Sequence, residues 1–125
     1  MTISRRGSSS KGITCVRVLD VGHPPMPPDA VEDLLMHAWM ETRNSDSVRV
    51  LKVVHGFGSS GQGGKTLLVV RNWASRMKGK LRAVIGGEEF SLYNAETQAM
   101  RREVGEIDSA ELDAGNRGIT YLWIK

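Results

Sequence analysis

Apolar positions recur along the chain with two different spacings, and the switches between them outline the elements. The run Ile13-Thr14-Cys15-Val16-Arg17-Val18-Leu19-Asp20-Val21 is short and β-branched, which predicts a strand. It stops at Gly22-His23-Pro24-Pro25-Met26-Pro27-Pro28, a stretch holding all four prolines. Proline fixes its own φ and removes an amide donor, so a turn belongs there. From Pro28 to about Arg43 the spacing changes: Val31, Leu34, Leu35, Ala38 and Trp39 recur every three or four residues, one stripe of an amphipathic helix. Val48 to His55 alternates again, with Val48, Val50 and Val54 on one face and Leu51 and Val53 on the other.

The stretch Gly56 to Gly64 is a glycine- and serine-rich loop. A helix is predicted from Lys65 to Met77, with Leu67, Val70, Trp73, Ala74 and Met77 inward. A strand follows from Lys80 to Ile85, with Leu81, Ala83 and Ile85 facing away from Arg82 and Val84. Within the segment from Gly86 to Gly118, Asn94 is placed to cap a helix running to Glu103, and Ser109 to start a further turn. The last strand is Ile119 to Ile124. The order β-α-β-α-β-(insertion)-β, with the insertion at about 86–114, predicts an α/β fold: a two-layer sandwich on a four-stranded mixed sheet. Alternation of strands and helices favours right-handed crossovers and mostly parallel pairing.

Composition narrows the class. The 125 residues are 40% hydrophobic and 25% charged, as expected of one globular domain over residues 13–125. Residues 1–12 are rich in Ser, Gly and Arg with little to bury, and read as a disordered basic arm. No apolar run approaches the roughly 20 residues that cross a bilayer, and no apolar stretch follows Arg5 and Arg6, so neither a membrane partner nor a secretory signal is expected. The lone Cys15 excludes an internal disulfide and a cysteine-built zinc site, and reads as a buried small hydrophobe. A cytoplasmic protein is the expectation.

Charge is segregated. Residues 48–82 carry Arg49, Lys52, Lys65, Arg71, Arg76, Lys78, Lys80 and Arg82 without one Asp or Glu, while residues 13–47 hold six acids against two bases. Residues 83–125 hold eight acids against four bases. Such a basic middle third can focus a positive field on phosphates, or its bases can pair with the acidic flanks.

In an open α/β sheet, ligands bind beyond the carboxyl ends of the parallel strands. Asp20 ends the first strand and His55 the second, so a carboxylate and an imidazole are placed to share a site. Beside them runs His55-Gly56-Phe57-Gly58-Ser59-Ser60-Gly61-Gln62-Gly63-Gly64-Lys65-Thr66, whose glycine amides and following helix start suit an anion. It is not a nucleotide phosphate loop: counting back from Gly64-Lys65-Thr66 puts Ser59 where that pattern requires glycine.

Leu19-Asp20 ending the first strand, His55-Gly56-Phe57-Gly58 ending the second and Gly115-Asn116-Arg117-Gly118 before the last strand resemble the Smr (small MutS-related) domain. The likeness covers roughly residues 13–85 and 114–125. It implies a fold like the C-terminal domain of translation initiation factor three, binding to DNA or RNA, and endonuclease activity in many members. The family's first motif is Leu-Asp-x-His followed by Gly; here Gly22 stands at the histidine position and His23 follows it.

On the enzyme reading, Asp20, His55 and His23 are the catalytic candidates. Cleaving a phosphodiester needs proton transfer and positive charge on the developing oxyanion, and imidazole is the side chain suited to the first task near neutral pH. His55 is placed as general base or acid, Asp20 as its orienting group or as ligand to a divalent metal such as magnesium, and His23 as a second proton-transfer group. Gly56, Gly58, Gly64 and Lys65 are the phosphate cradle, and Arg71, Arg76, Lys78, Lys80, Arg82 and Arg117 its extension. Two other functions fit the same sequence: a non-catalytic nucleic-acid-binding module, and a protein-interaction domain docking a partner through the acidic insertion. Trp39 and Trp73, on helical stripes, belong to the core.

Overall fold

A computed structural model of the chain describes residues 15–57 and 63–125. The basic arm, the start of the first predicted strand at Ile13 and Thr14, and Gly58 of the proposed cradle lie outside the described residues. The elements are β1 (Val16–Asp20), α1 (Pro28–Arg43), β2 (Val50–Val54), α2 (Gly63–Arg76), β3 (Leu81–Gly86), α3 (Ala95–Val104) and β4 (Ile119–Ile124). Short 3-10 turns occupy Lys78–Lys80, Gly87–Glu89 and Ser109–Glu111.

Each helix starts where the chain chemistry allows it. Pro28 opens α1, where its missing N–H would be unpaired in any case, and Asp29 and Arg43 suit the positive and negative ends of the helix dipole. Asn94 caps α3, its side-chain oxygen accepting the Thr97 amide at 2.7 Å.

The four strands form one mixed sheet in the order β1-β2-β4-β3. β1 and β2 are parallel, with Asp20 beside Val54, while β4 is antiparallel to both β2 and β3. Mostly parallel pairing was therefore the wrong expectation. All six residues of β4 are buried, and a strand with no polar face is most stable in the middle of a sheet. It takes that place, separating β3 from β2.

Helices α1 and α2 cover one face, packing Val31, Leu35, Trp39, Val70 and Trp73 onto Leu51, Val53, Leu122 and Ile124. Sheet and helices make the expected two-layer α/β sandwich. Leu34, assigned to the inner stripe, is 38% exposed, so the buried stripe of α1 is narrower than its apolar one.

The insertion adds cover on the opposite face. Phe90, Met100, Val104 and Ile107 pack against Val50, Ala83, Ile85, Ile119, Tyr121 and Trp123. Phe90 and Tyr121 stack with ring centroids 4.3 Å apart. Strict alternation in β3 fails for a local reason: the register shifts between Leu81 and Ala83. Leu81 thereby joins the α1/α2 side and Ala83 and Ile85 the insertion side.

Some acids of the insertion pair with bases of the sheet and of α2. Asp108 holds Lys52 at 2.9 Å and accepts the Tyr121 hydroxyl, Glu88 pairs with Arg71, and Glu103 reaches Arg82 at 3.4 Å. If the insertion is core, trimming it has a core-sized effect. Ile107→Val, which deletes one methylene from a residue 2% exposed, should lower the unfolding free energy by about 0.5–1.5 kcal/mol in urea titrations. A change near zero would mean a loosely attached flap.

Among the described residues, no helix is long and apolar enough to cross a membrane.

Candidate functional site

The carboxyl ends of β1 and β2 meet as expected, and the two histidines there lie in opposite environments. His55 follows β2 into the interior and is fully buried. Its Nδ1 lies 2.7 Å from the Gly56 carbonyl and its Nε2 2.8 Å from Thr120 Oγ1. Thr120 Oγ1 in turn accepts Arg71 Nε at 3.2 Å, and Arg71 is clamped by both carboxylate oxygens of Glu88 at 2.8 Å.

One proton arrangement satisfies this chain. The Gly56 carbonyl can only accept, so Nδ1 carries the hydrogen. Nε2 then accepts the Thr120 hydroxyl proton, leaving the hydroxyl oxygen free for Arg71. The neutral imidazole is the form in which each of these donors and acceptors has a partner, and burial favours it, pushing the His55 pKa below its ordinary 6.5 with the Arg71 charge assisting. His55 is thus a structural residue with both nitrogens engaged, and not the general base or acid expected from the sequence.

In the unfolded chain His55 takes up a proton near pH 6.5, while in the folded protein it does so only at lower pH. The unfolded state therefore binds more protons in that window, and His55's contribution to stability, complete above about pH 6.5, is lost progressively below it. Urea midpoints should fall as pH drops from 6.5 to 5, and imidazole NMR should show the His55 ring titrating at lower pH in the folded protein than in the unfolded chain. A His55 that titrates at the unfolded value or above it in the folded protein would overturn the assignment.

Asp20 pairs with His23 rather than with His55. His23 Nδ1 lies 3.1 and 3.2 Å from the two Asp20 oxygens, and Asp20 Oδ1 also accepts the amides of Gly22 at 2.9 Å and His23 at 3.1 Å. Slight burial acts to raise the Asp20 pKa, but the Gly22 amide and the His23 ring and amide outweigh it, holding the carboxyl below its ordinary 3.8. An ionised Asp20 only accepts, so Nδ1 of His23 bears the hydrogen and Nε2 presents a lone pair.

The order Gly22-His23 is dictated by packing. A Cβ on Gly22 would stand 2.6 Å from the His55 carbonyl oxygen and 2.7 Å from its carbon. No side chain fits there, and the histidine has to sit one residue later, outside the contact.

His23 lines a cleft of about 440 Å³ whose other walls include Val54, Gly56, Phe57, Asn116, Arg117 and Gly118. The Arg117 guanidinium lies over the Phe57 ring, 5.3 Å from its centroid, and Phe57 is 52% exposed. The floor is closed by backbone: Gly118 O accepts both the His55 amide at 2.9 Å and the Gly56 amide at 3.0 Å. Gly56 has φ +76°, a conformation that glycine adopts without strain. Its amide is spent on Gly118 and is not free to cradle a phosphate, contrary to the sequence expectation.

The remaining predicted cradle residues are dispersed. Gly64 lies in the first turn of α2. Lys65 lines a separate hollow with Pro25, Met26, Pro27 and Pro28. Arg71 is committed to Glu88 and Thr120, Arg76 to Glu32 at 2.8 Å, and Arg82 to Glu103 and the Trp123 ring. Lys78 borders a groove beside β3, and Lys80 lies over Trp39 at the opposite end of the sheet. Much of the basic middle third is therefore neutralised within the fold. Of the predicted anion binders, Arg117 is the cation in the cleft.

Asn116, Phe57 and Thr120 were not singled out as functional from the sequence. Asn116 Oδ1 takes the Gly118 amide at 2.8 Å and shapes the loop that carries Arg117. Thr120, a polar residue inside an otherwise apolar strand, was the available signal for a buried hydrogen-bond network.

Asp20 makes a poor magnesium ligand. Its Oδ1 already takes two amides and a ring nitrogen. Among the described residues no group of three His, Cys, Asp or Glu side chains is placed to share a metal ion.

Comparison of the chain with protein-family models, curated proteins and solved structures gives no match.

Proposed function

We propose that this domain binds nucleic acid in the cleft between His23 and Arg117 and cleaves a phosphodiester there, as a Smr-like endonuclease. The observation that carries this reading is the Asp20–His23 pair at the carboxyl ends of the parallel strands, lining the same cleft as Arg117. Asp20 fixes the imidazole through Nδ1, leaving Nε2 to take a proton. Arg117 supplies charge for the phosphate oxygens, and Phe57 an exposed ring on which a base can stack.

RNA is the substrate that such a site serves most directly, since its 2′-hydroxyl is a nucleophile already in place. His23 Nε2 removes the hydroxyl proton, the 2′-oxygen bonds to phosphorus, and the bond from phosphorus to the 5′-oxygen breaks. A 2′,3′-cyclic phosphate and a 5′-hydroxyl result, the proton returning through solvent to the departing oxygen. The resemblance at Leu19-Asp20 and His55-Gly56-Phe57-Gly58 supports nucleic acid as the partner, but the proton-transfer role passes from His55 to His23.

The test is incubation of purified protein with structured RNA and with plasmid, with and without magnesium, alongside His23→Ala and His37→Ala. His37 is exposed on α1 and, among the described residues, its ring bonds only to the Asp33 carbonyl at 2.8 Å. RNA should be cut to cyclic-phosphate ends by the native chain and by His37→Ala. Cleavage that survives in His23→Ala would sink the proposal.

A further inference from the structure

A second site for anions lies at the other end of the sheet. The carboxyl-terminal turn of α1, the 3-10 turn before β3 and the end of β4 converge on a hollow of about 270 Å³ lined by Trp39, Arg43, Gly79, Lys80 and Lys125. The Arg43 guanidinium stands 5.2 Å and the Lys80 ammonium 5.5 Å from the centroid of the same Trp39 ring. The indole quadrupole gathers both cations, but it does not neutralise them. No Asp or Glu side chain lines the hollow, and among the described residues the side chains of Arg43, Lys80 and Lys125 form no ion pair.

Three further features favour an anion here. The Lys125 ammonium donates to the Gly79 carbonyl at 2.9 Å, which holds it at the rim. The carbonyl end of α1, whose partial negative charge would repel an anion, is covered by Arg49, which donates to the Thr42 carbonyl and, at 2.9 Å, to that of Ser45. Arg49 also takes the main-chain oxygen of Lys125 at 3.2 Å. Finally, Trp39 is 6% exposed and packed in the core, so the ring beneath the two cations is held in place.

We infer that Arg43, Lys80, Lys125 and Trp39 form a phosphate-binding pocket distinct from the cleft at His23. A phosphate group carries the charge to relieve the repulsion among three ammonium and guanidinium groups, and enough oxygens to serve several donors at once. Its source is either the backbone of a bound nucleic acid or a free phosphate. β4 is six residues long, so the two sites lie about 20 Å apart along the strands at roughly 3.3 Å per residue. A strand lying along the molecule could occupy both.

The test uses inorganic phosphate as probe and the Trp39 indole N–H resonance as reporter, with sodium chloride at matched ionic strength as control. Phosphate should move that signal to saturation and chloride should not. The double variant Arg43→Gln, Lys80→Gln should weaken the phosphate response at least tenfold, while unchanged Trp73 and Trp123 indole signals report that it is folded. A response that chloride reproduces, that never saturates, or that persists in the double variant overturns the pocket.

A single-stranded oligonucleotide without terminal phosphates then identifies the source. If backbone phosphate is the occupant, the oligonucleotide moves the Trp39 signal. The double variant then flattens the plot of log affinity against log salt by about 1.4, at roughly 0.7 per phosphate contact. A Trp39 signal that answers phosphate but not the oligonucleotide assigns the pocket to a free phosphate group. Because the phosphate titration involves no nucleic acid, it can succeed or fail independently of the cleft.

Discussion

His23→Ala is expected to slow RNA cleavage by about 10²–10⁴-fold, the range that a positioned proton-transfer group contributes. Affinity for an uncleaved analogue should stay within about twofold, because the charge that meets the phosphate is on Arg117 and the stacking surface is Phe57. The His23 side chain is 64% exposed and among the described residues its ring bonds to Asp20 alone, so the fold should tolerate its loss and the thermal midpoint should hardly move. Asp20→Asn should give a smaller loss, since the ring would keep a hydrogen-bond partner but lose the negative charge beside it. Arg117→Ala should show the converse of His23→Ala, with weaker binding and a shallower salt dependence. Equal losses of rate in His23→Ala and His37→Ala would place the chemistry elsewhere.

Gly22→Ala is expected to destabilise the protein by about 3 kcal/mol, the upper part of the range for forcing atoms into a packed interior. The added Cβ would meet the carbonyl oxygen, the carbonyl carbon and, at 3.0 Å, the Cα of His55. These are backbone atoms, and they cannot rotate away as a side chain would. His55 is anchored at its amide by Gly118, at Nδ1 by Gly56 and at Nε2 by Thr120, so relieving the clash means moving three connected segments. The measurement is a urea or thermal transition on the purified variant, with Gly64→Ala as the control, since none of the described residues lies within 4 Å of a Cβ built there. The double exchange Gly22→His, His23→Gly restores the residue order of the Smr motif. It should unfold the domain and not improve it. A well-folded exchange variant would show that the contact between Gly22 and His55 is easily reshaped.

These two expectations rest on adjacent residues that the sequence places in the same turn. That Gly22 is the one packed against the His55 backbone becomes visible only when β2 is laid beside β1. Both His23 and His55 were candidates in the linear chain for sound reasons. His55 ends a strand at a glycine loop, a good position for a catalytic group. What withdraws it is Thr120, 65 residues further on, which meets its Nε2 inside the protein.

Local patterning alone determined the element types, the helix α1 from Pro28 to Arg43, the Asn94 cap and the final strand. These depend on the spacing of apolar side chains and on the backbone preferences of Pro and Asn, interactions within a few residues of one another. The fate of the basic middle third was decided by the tertiary structure. Lys52, Arg71 and Arg82 find their acids in the insertion and Arg76 finds Glu32 on α1, leaving Arg117, from a different part of the chain, in the cleft. The central place of β4, the second covered face of the sheet and the burial of His55 have the same origin. Each is a contact between segments far apart in sequence, and such contacts depend on which surfaces the fold brings together rather than on any residue's neighbours along the chain.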